Sequence, residues 1–78
     1  MVEAPKQVHG FKVLKSVFFP GDGITRSGHV IIVEKTKGGF VTSWIGVGDR
    51  GWNEGHYFEA NQKSEAFADF WMRAARAP

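Results

Sequence analysis

The sequence predicts an α+β domain, a four-stranded, mostly antiparallel β-sheet (β-β-β-β-α) with one C-terminal helix packed on one face. Three stretches predict it. Residues 28–47 read G-H-V-I-I-V-E-K-T-K-G-G-F-V-T-S-W-I-G-V, two runs rich in β-branched and aromatic residues around Lys37-Gly38-Gly39. Such runs favour strands, and glycine accepts the positive φ of a tight connection, so this is a β-hairpin. Residues 11–19 alternate as a further strand. Residues 64–77 carry Phe67, Phe70, Trp71 and Ala74 at i, i+3, i+4 and i+7, the apolar stripe of an amphipathic helix.

Residues 1–9 hold Pro5, several charges and no periodicity, and are expected to form a loosely ordered lead-in to a single small α+β domain spanning 10–78. In the first strand Phe11, Val13, Val17 and Phe19 alternate with Lys12, Leu14, Ser16 and Phe18, with Lys15 interrupting the apolar side. Pro20-Gly21-Asp22-Gly23 stops it. Ile24–Ser27 is expected to begin the next strand early, with Gly28 at a bulge.

If the turn has two residues, His29, Ile31, Val33, Lys35 and Lys37 share a face with Phe40, Thr42 and Trp44. The other face then carries Val30, Ile32, Glu34, Val41, Ser43, Ile45 and Val47. A three-residue turn slides one strand by one position and flips its side chains, so these groupings depend on the turn. In either register both faces hold large apolar groups, and each needs a cover. Residues 46–55 then form a long connection with four glycines. His56–Ala60 reads as a short fourth strand, and Asn61 or Ser64 is placed to cap the helix. On that helix Asp69, Arg73 and Arg76 lie opposite the stripe, Asp69 pairs with Arg73 one turn on, and Met72 stands among the polar residues.

At 78 residues, the chain is near the size at which a core only just suffices. It has no cysteine, which excludes disulfides and thiolate metal sites and fits a reducing, cytoplasmic setting. No signal-peptide or membrane-span pattern is present. Ten Lys and Arg against eight Asp and Glu, well mixed, leave +2, too small an excess to indicate a partner. Seven Phe, three Trp and one Tyr are a heavy aromatic load for one sheet and one helix to enclose.

No motif supports catalysis, and the expectation is a protein that is not an enzyme and holds no metal or cofactor. Gly46-x-Gly48-x-x-Gly51 matches the dinucleotide fingerprint, but Trp52-Asn53-Glu54-Gly55 follows where the fingerprint needs a helix. His9, His29 and His56 have no metal-ligand spacing. Asp49, Glu54 and His56 could assemble for acid–base work, yet Ser16, Ser27, Ser43 and Ser64 all lack a nucleophile context.

The first functional expectation is a non-catalytic interaction module, self-associating as a homodimer or acting as an adaptor or inhibitor of another protein. Its contact candidates are Trp52, Met72 and Ile45: a sheet face carrying Ile45 covered by a second chain, with Trp52 or Met72 at the rim, the alternative for Trp52 being that it folds back to plug one end of the core. The competing cover for that face is the N-terminal segment with Val2 and Val8. The alternatives are a single-stranded nucleic-acid binder using Lys35, Lys37 and Trp44 on one sheet face, and a small-molecule binder with a cleft under the 46–55 loop.

Overall fold

The computed structural model describes residues 4–24, 26–52 and 54–76. It contains β1 (Gln7–Val8), β2 (Phe11–Phe19), β3 (Gly28–Glu34), β4 (Phe40–Gly46), β5 (His56–Phe58) and α1 (Lys63–Arg76). The strands form one antiparallel sheet in chain order, each paired with its sequence neighbour, curled into a half-barrel with the helix on one face. The α+β class is as predicted, with one strand more. The added strand is β1, inside the segment expected to be loose. Val8 opposes Phe11 across a two-residue turn in which His9 (φ 54°) and Gly10 (φ 79°) both take positive φ. That is the geometry whose twist matches a hairpin, and histidine is among the few residues other than glycine enriched there.

The central hairpin closes through a three-residue loop. Lys35 N–H donates to Gly39 O (2.9 Å), Gly38 N–H donates to Lys35 O (2.9 Å), and Gly38 lies at φ 90°. Val30 therefore opposes Trp44, Ile32 opposes Thr42 and Glu34 opposes Phe40. The two-residue grouping is overturned: Phe40, Thr42 and Trp44 lie with Val30 and Ile32, not with Ile31, Val33 and Lys35. A second correction concerns β2. Its register shifts between Val13 and Lys15, so the bulge is here and not at Gly28, which pairs with Phe19 and Gly46 and is where β3 begins, not earlier at Ile24–Ser27. The extra residue turns the strand over. Phe11 and Val13 pack on one face of the sheet, while Leu14, Val17 and Phe19 pack on the other.

Two cores result. On the helix side Val30, Ile32, Phe40, Ala66 and Phe70 are buried, with Leu14, Val17, Phe19, Trp44, Phe58 and Phe67 packed around them. On the opposite side Val8, Ile31, Val33, Val41 and Ile45 are buried, covered by Phe11, Val13 and Trp52. Of the competing cover, Val8 is in place at 2% exposure, whereas Val2 lies outside the described residues. Ile45, expected at an interface, is 2% exposed within the chain itself.

The helix is turned from its predicted setting. Ala66 and Phe70 are fully buried, Phe67 is partly so, and Trp71 is 50% exposed, so the expectation that Trp71 is a core residue is corrected. At 100° per residue the buried centre lies roughly 70° from the axis of the Phe67/Phe70/Trp71/Ala74 stripe. The turn brings Asp69 onto the buried Thr42 hydroxyl of β4. Gln62, not Asn61 or Ser64, precedes the first helical turn: its carbonyl accepts from Ala66 N–H and its side chain accepts from Glu59 N–H, each at 2.9 Å.

Candidate functional site

The chemistry-bearing side chains gather where β3 begins and β4 ends, between α1 and the 47–55 connection. The floor is built by two cross-strand glycines. Gly28 and Gly46 oppose each other, and the Trp44 ring lies so close over Gly28 that a Cβ there would sit 2.5 Å from it. Arg26 occupies the equivalent space over Gly46, where a Cβ would be 2.2 Å from the guanidinium. Arg26 also stands 5.5 Å from the Trp44 ring centre and is clamped by Asp49 at 2.8 Å. Asp49 in turn accepts Gly46 N–H at 3.1 Å. The hydrogen bond from Arg26 holds the Asp49 carboxyl below its ordinary range, and Asp49 raises Arg26 correspondingly.

The connection is anchored at several further points. Val47 N–H donates to Ser27 O (3.0 Å), and the fully buried Ser43 hydroxyl donates to Glu54 O (2.7 Å). Trp52 folds back on the sheet face opposite the helix. Its indole N–H donates to Tyr57 Oη (3.1 Å), and its ring meets His9 edge-on at 4.6 Å.

On the helix side, Asp69 collects donors from three elements. Thr42 Oγ donates to it from β4, His56 Nδ1 from β5 (3.0 and 3.1 Å to its two oxygens), and Arg73 Nε from the next turn of α1 (3.3 Å). Burial pushes the Asp69 carboxyl up, but the hydrogen bonds from Thr42 and His56 and the nearby positive charge outweigh it, leaving it below its usual range. A depressed folded value means stability that is complete above the unfolded value near 3.8 and lost as pH falls through the lower folded one. Wild type should therefore lose more stability than Asp69→Asn between about pH 5 and pH 3, read as the shift in urea midpoint. Equal losses in the two proteins would show that Asp69 is not anchored as described.

Two cavities meet here. One, about 410 Å³, lies under the connection, between Arg26, Asp49, Trp52 and Glu54. The other, about 350 Å³, lies against the helix, between Val30, His56, Asp69, Met72 and Arg76. Trp44 and Arg73 line both. Trp44 Nε1–H is buried and has no acceptor among the described residues.

The predicted site residues are not brought together as a group. Lys35 stands 5.8 Å from the Tyr57 ring centre and Lys37 is exposed at the hairpin loop, while Trp44 lies on the helix-covered face. The basic and aromatic face proposed for nucleic acid is thus divided by the register. Of Asp49, Glu54 and His56, the first two line one cavity, where Asp49 is held by Arg26, while His56 lines the other and is held by Asp69. The Thr42 hydroxyl donates to the carboxylate and not to the histidine, so no hydroxyl is poised on His56 among the described residues. Nor do they contain a cluster of three His, Asp or Glu side chains able to hold a metal ion.

Arg26, Gly28 and Thr42 carried no local sign of their roles. The Thr42–Asp69 and Arg26–Asp49 contacts join residues 27 and 23 apart in sequence, beyond any helix or hairpin spacing. The Asp69–Arg73 pair was legible because it follows the helical i, i+4 rule. Among the described residues no helix is long and apolar enough to cross a membrane. Comparison of the chain with protein-family models, curated proteins and solved structures found no match.

Proposed function

We propose that the protein is a non-catalytic interaction module that self-associates, and that its contact is the free edge of β2 beside Trp71. The observation that carries this reading is the state of that edge. β1 reaches only as far as Val13, whose N–H donates to Lys6 O (3.0 Å), and from Leu14 to Phe19 the outer edge pairs with no strand among the described residues. An open edge is a template for another strand. This one reads L-K-S-V-F-F, with no proline or glycine and a single charge. Phe18 (37%) and Trp71 (50%) are both exposed, and Lys15 Nζ lies 5.2 Å from the Trp71 ring centre, which places Trp71 beside the edge.

A second copy suits the edge. Antiparallel pairing about Val17 sets Lys15 opposite Phe19 and Ser16 opposite Phe18, so no like charges meet. The sheet face carrying Ile45 is not the contact in this reading, because Val8 and Trp52 already cover it. A cysteine-free chain fits a cytoplasmic setting.

Size-exclusion chromatography with light scattering at about 100 μM should give twice the chain mass for an affinity in the micromolar range. Trp71→Glu should give a folded single chain. A wild-type mass of one chain at that concentration would refute self-association and turn the reading towards an adaptor for another protein.

A further inference from the structure

We infer that the cavity between α1 and the Val30–Trp44 pair binds a small aromatic carboxylate. Arg73 and Arg76 hold its charge, and its ring lies against Trp44 and Met72. At about 350 Å³ the space is at the lower end of small-ligand pockets, which run from roughly 300 to 1,000 Å³. Its lining combines apolar side chains, Val30, Trp44 and Met72, with two arginines, Arg73 and Arg76.

The charge balance selects an anion. Two arginines face one carboxylate, Asp69, and that carboxylate already accepts from Thr42, His56 and Arg73. Arg73 uses only its Nε in that contact, leaving its terminal amino groups. The Arg76 side chain has no ion pair or hydrogen bond among the described residues. Guanidinium groups grip a carboxylate through paired, charge-assisted hydrogen bonds.

Cations in the last turn of a helix are favoured by its dipole, and alone would mean no more than that. The dipole does not explain why these two border an apolar cavity, or why Met72, 53% exposed, lines its wall. It also leaves unexplained a Trp44 ring seated on a glycine. That ring is pre-positioned, since Gly28 lies beneath it and Arg26 stands beside it. A ring that need not be ordered on binding lowers the entropic cost of capture. The site is separate from the β2 edge: Trp71 and Met72 point about 100° apart around the helix. Failure of self-association therefore leaves this inference standing, and the reverse also holds.

The test is titration of the isotope-labelled full chain with naphthoate and, separately, with neutral naphthalenemethanol, following the three indole N–H signals. Trp71→Phe and Trp52→Phe identify the remaining signal as Trp44. Its buried N–H, without an acceptor, reports on whatever settles against the ring. Naphthoate should shift the Trp44 signal saturably, with a Kd of about 1 mM or tighter, and leave the Trp71 signal in place. Naphthalenemethanol should bind about tenfold more weakly or not at all, and Arg76→Ala should weaken naphthoate about tenfold. No saturable Trp44 shift at about 10 mM naphthoate would overturn the inference. Equal binding of the neutral alcohol, or an unchanged affinity in folded Arg76→Ala, would also overturn it.

Discussion

Phe70→Ala should cost about 3–5 kcal/mol, the range for a large aromatic deleted from a packed core. Phe70 is fully buried, and its ring lies among Val30, Ile32, Phe40 and Ala66 where the helix meets the sheet. Stabilities of single domains are about 5–15 kcal/mol, and a chain of this size falls toward the lower end, so much of the population should unfold at room temperature. The neighbouring Trp71→Ala is the control. Its ring touches Phe70 edge-on at 5.0 Å but is half exposed, and its loss should cost about 1 kcal/mol or less. Urea unfolding of the two proteins checks the helix setting directly. Similar losses for both would mean that the helix is turned back towards the stripe the sequence suggests.

Ile45→Lys should unfold the chain instead of uncovering a monomer. Ile45 sits with Val8, Ile31, Val33 and Val41 under Trp52 and is 2% exposed. The substitution removes roughly 1.5–3 kcal/mol of apolar burial. It also puts an ammonium group into an apolar cluster, which costs several kcal/mol more unless the side chain escapes towards Asp49 in the neighbouring cleft. Far-ultraviolet circular dichroism at low temperature reads the result. A folded, cooperatively melting Ile45→Lys protein would show that this face is less enclosed than Val8 and Trp52 make it, and would restore it as a contact surface.

The candidate site and the core differ in how their residues are linked along the chain. Asp69 and Arg73 are one helical turn apart, and the spacing alone pairs them. Nothing local links Asp69 to Thr42 or Arg26 to Asp49, and the two glycines that seat Trp44 and Arg26 look like ordinary loop and strand-end residues. The exposed Met72 was visible as an apolar residue among polar ones, but the cavity it lines depends on the setting of the helix.

The α+β class, the central hairpin, the strand over 11–19 and the C-terminal helix were all legible in the order of residues alone. Each of these follows from propensity and periodicity, which act between residues a few positions apart. The same order also required two covered sheet faces, because both sides of the hairpin are apolar. Which residues share a face was settled by long-range pairing and packing. One residue more in the 36–38 loop and one extra residue in β2 each invert a strand, since side chains alternate with a period of two. The sequence supplies glycines compatible with either turn, so only closure of the sheet selects between them. In the same way the helix could present a band of apolar residues wider than the sheet can accept. Packing of Phe70 and Ala66, together with the Thr42–Asp69 hydrogen bond, chose its buried line and left Trp71 in solvent.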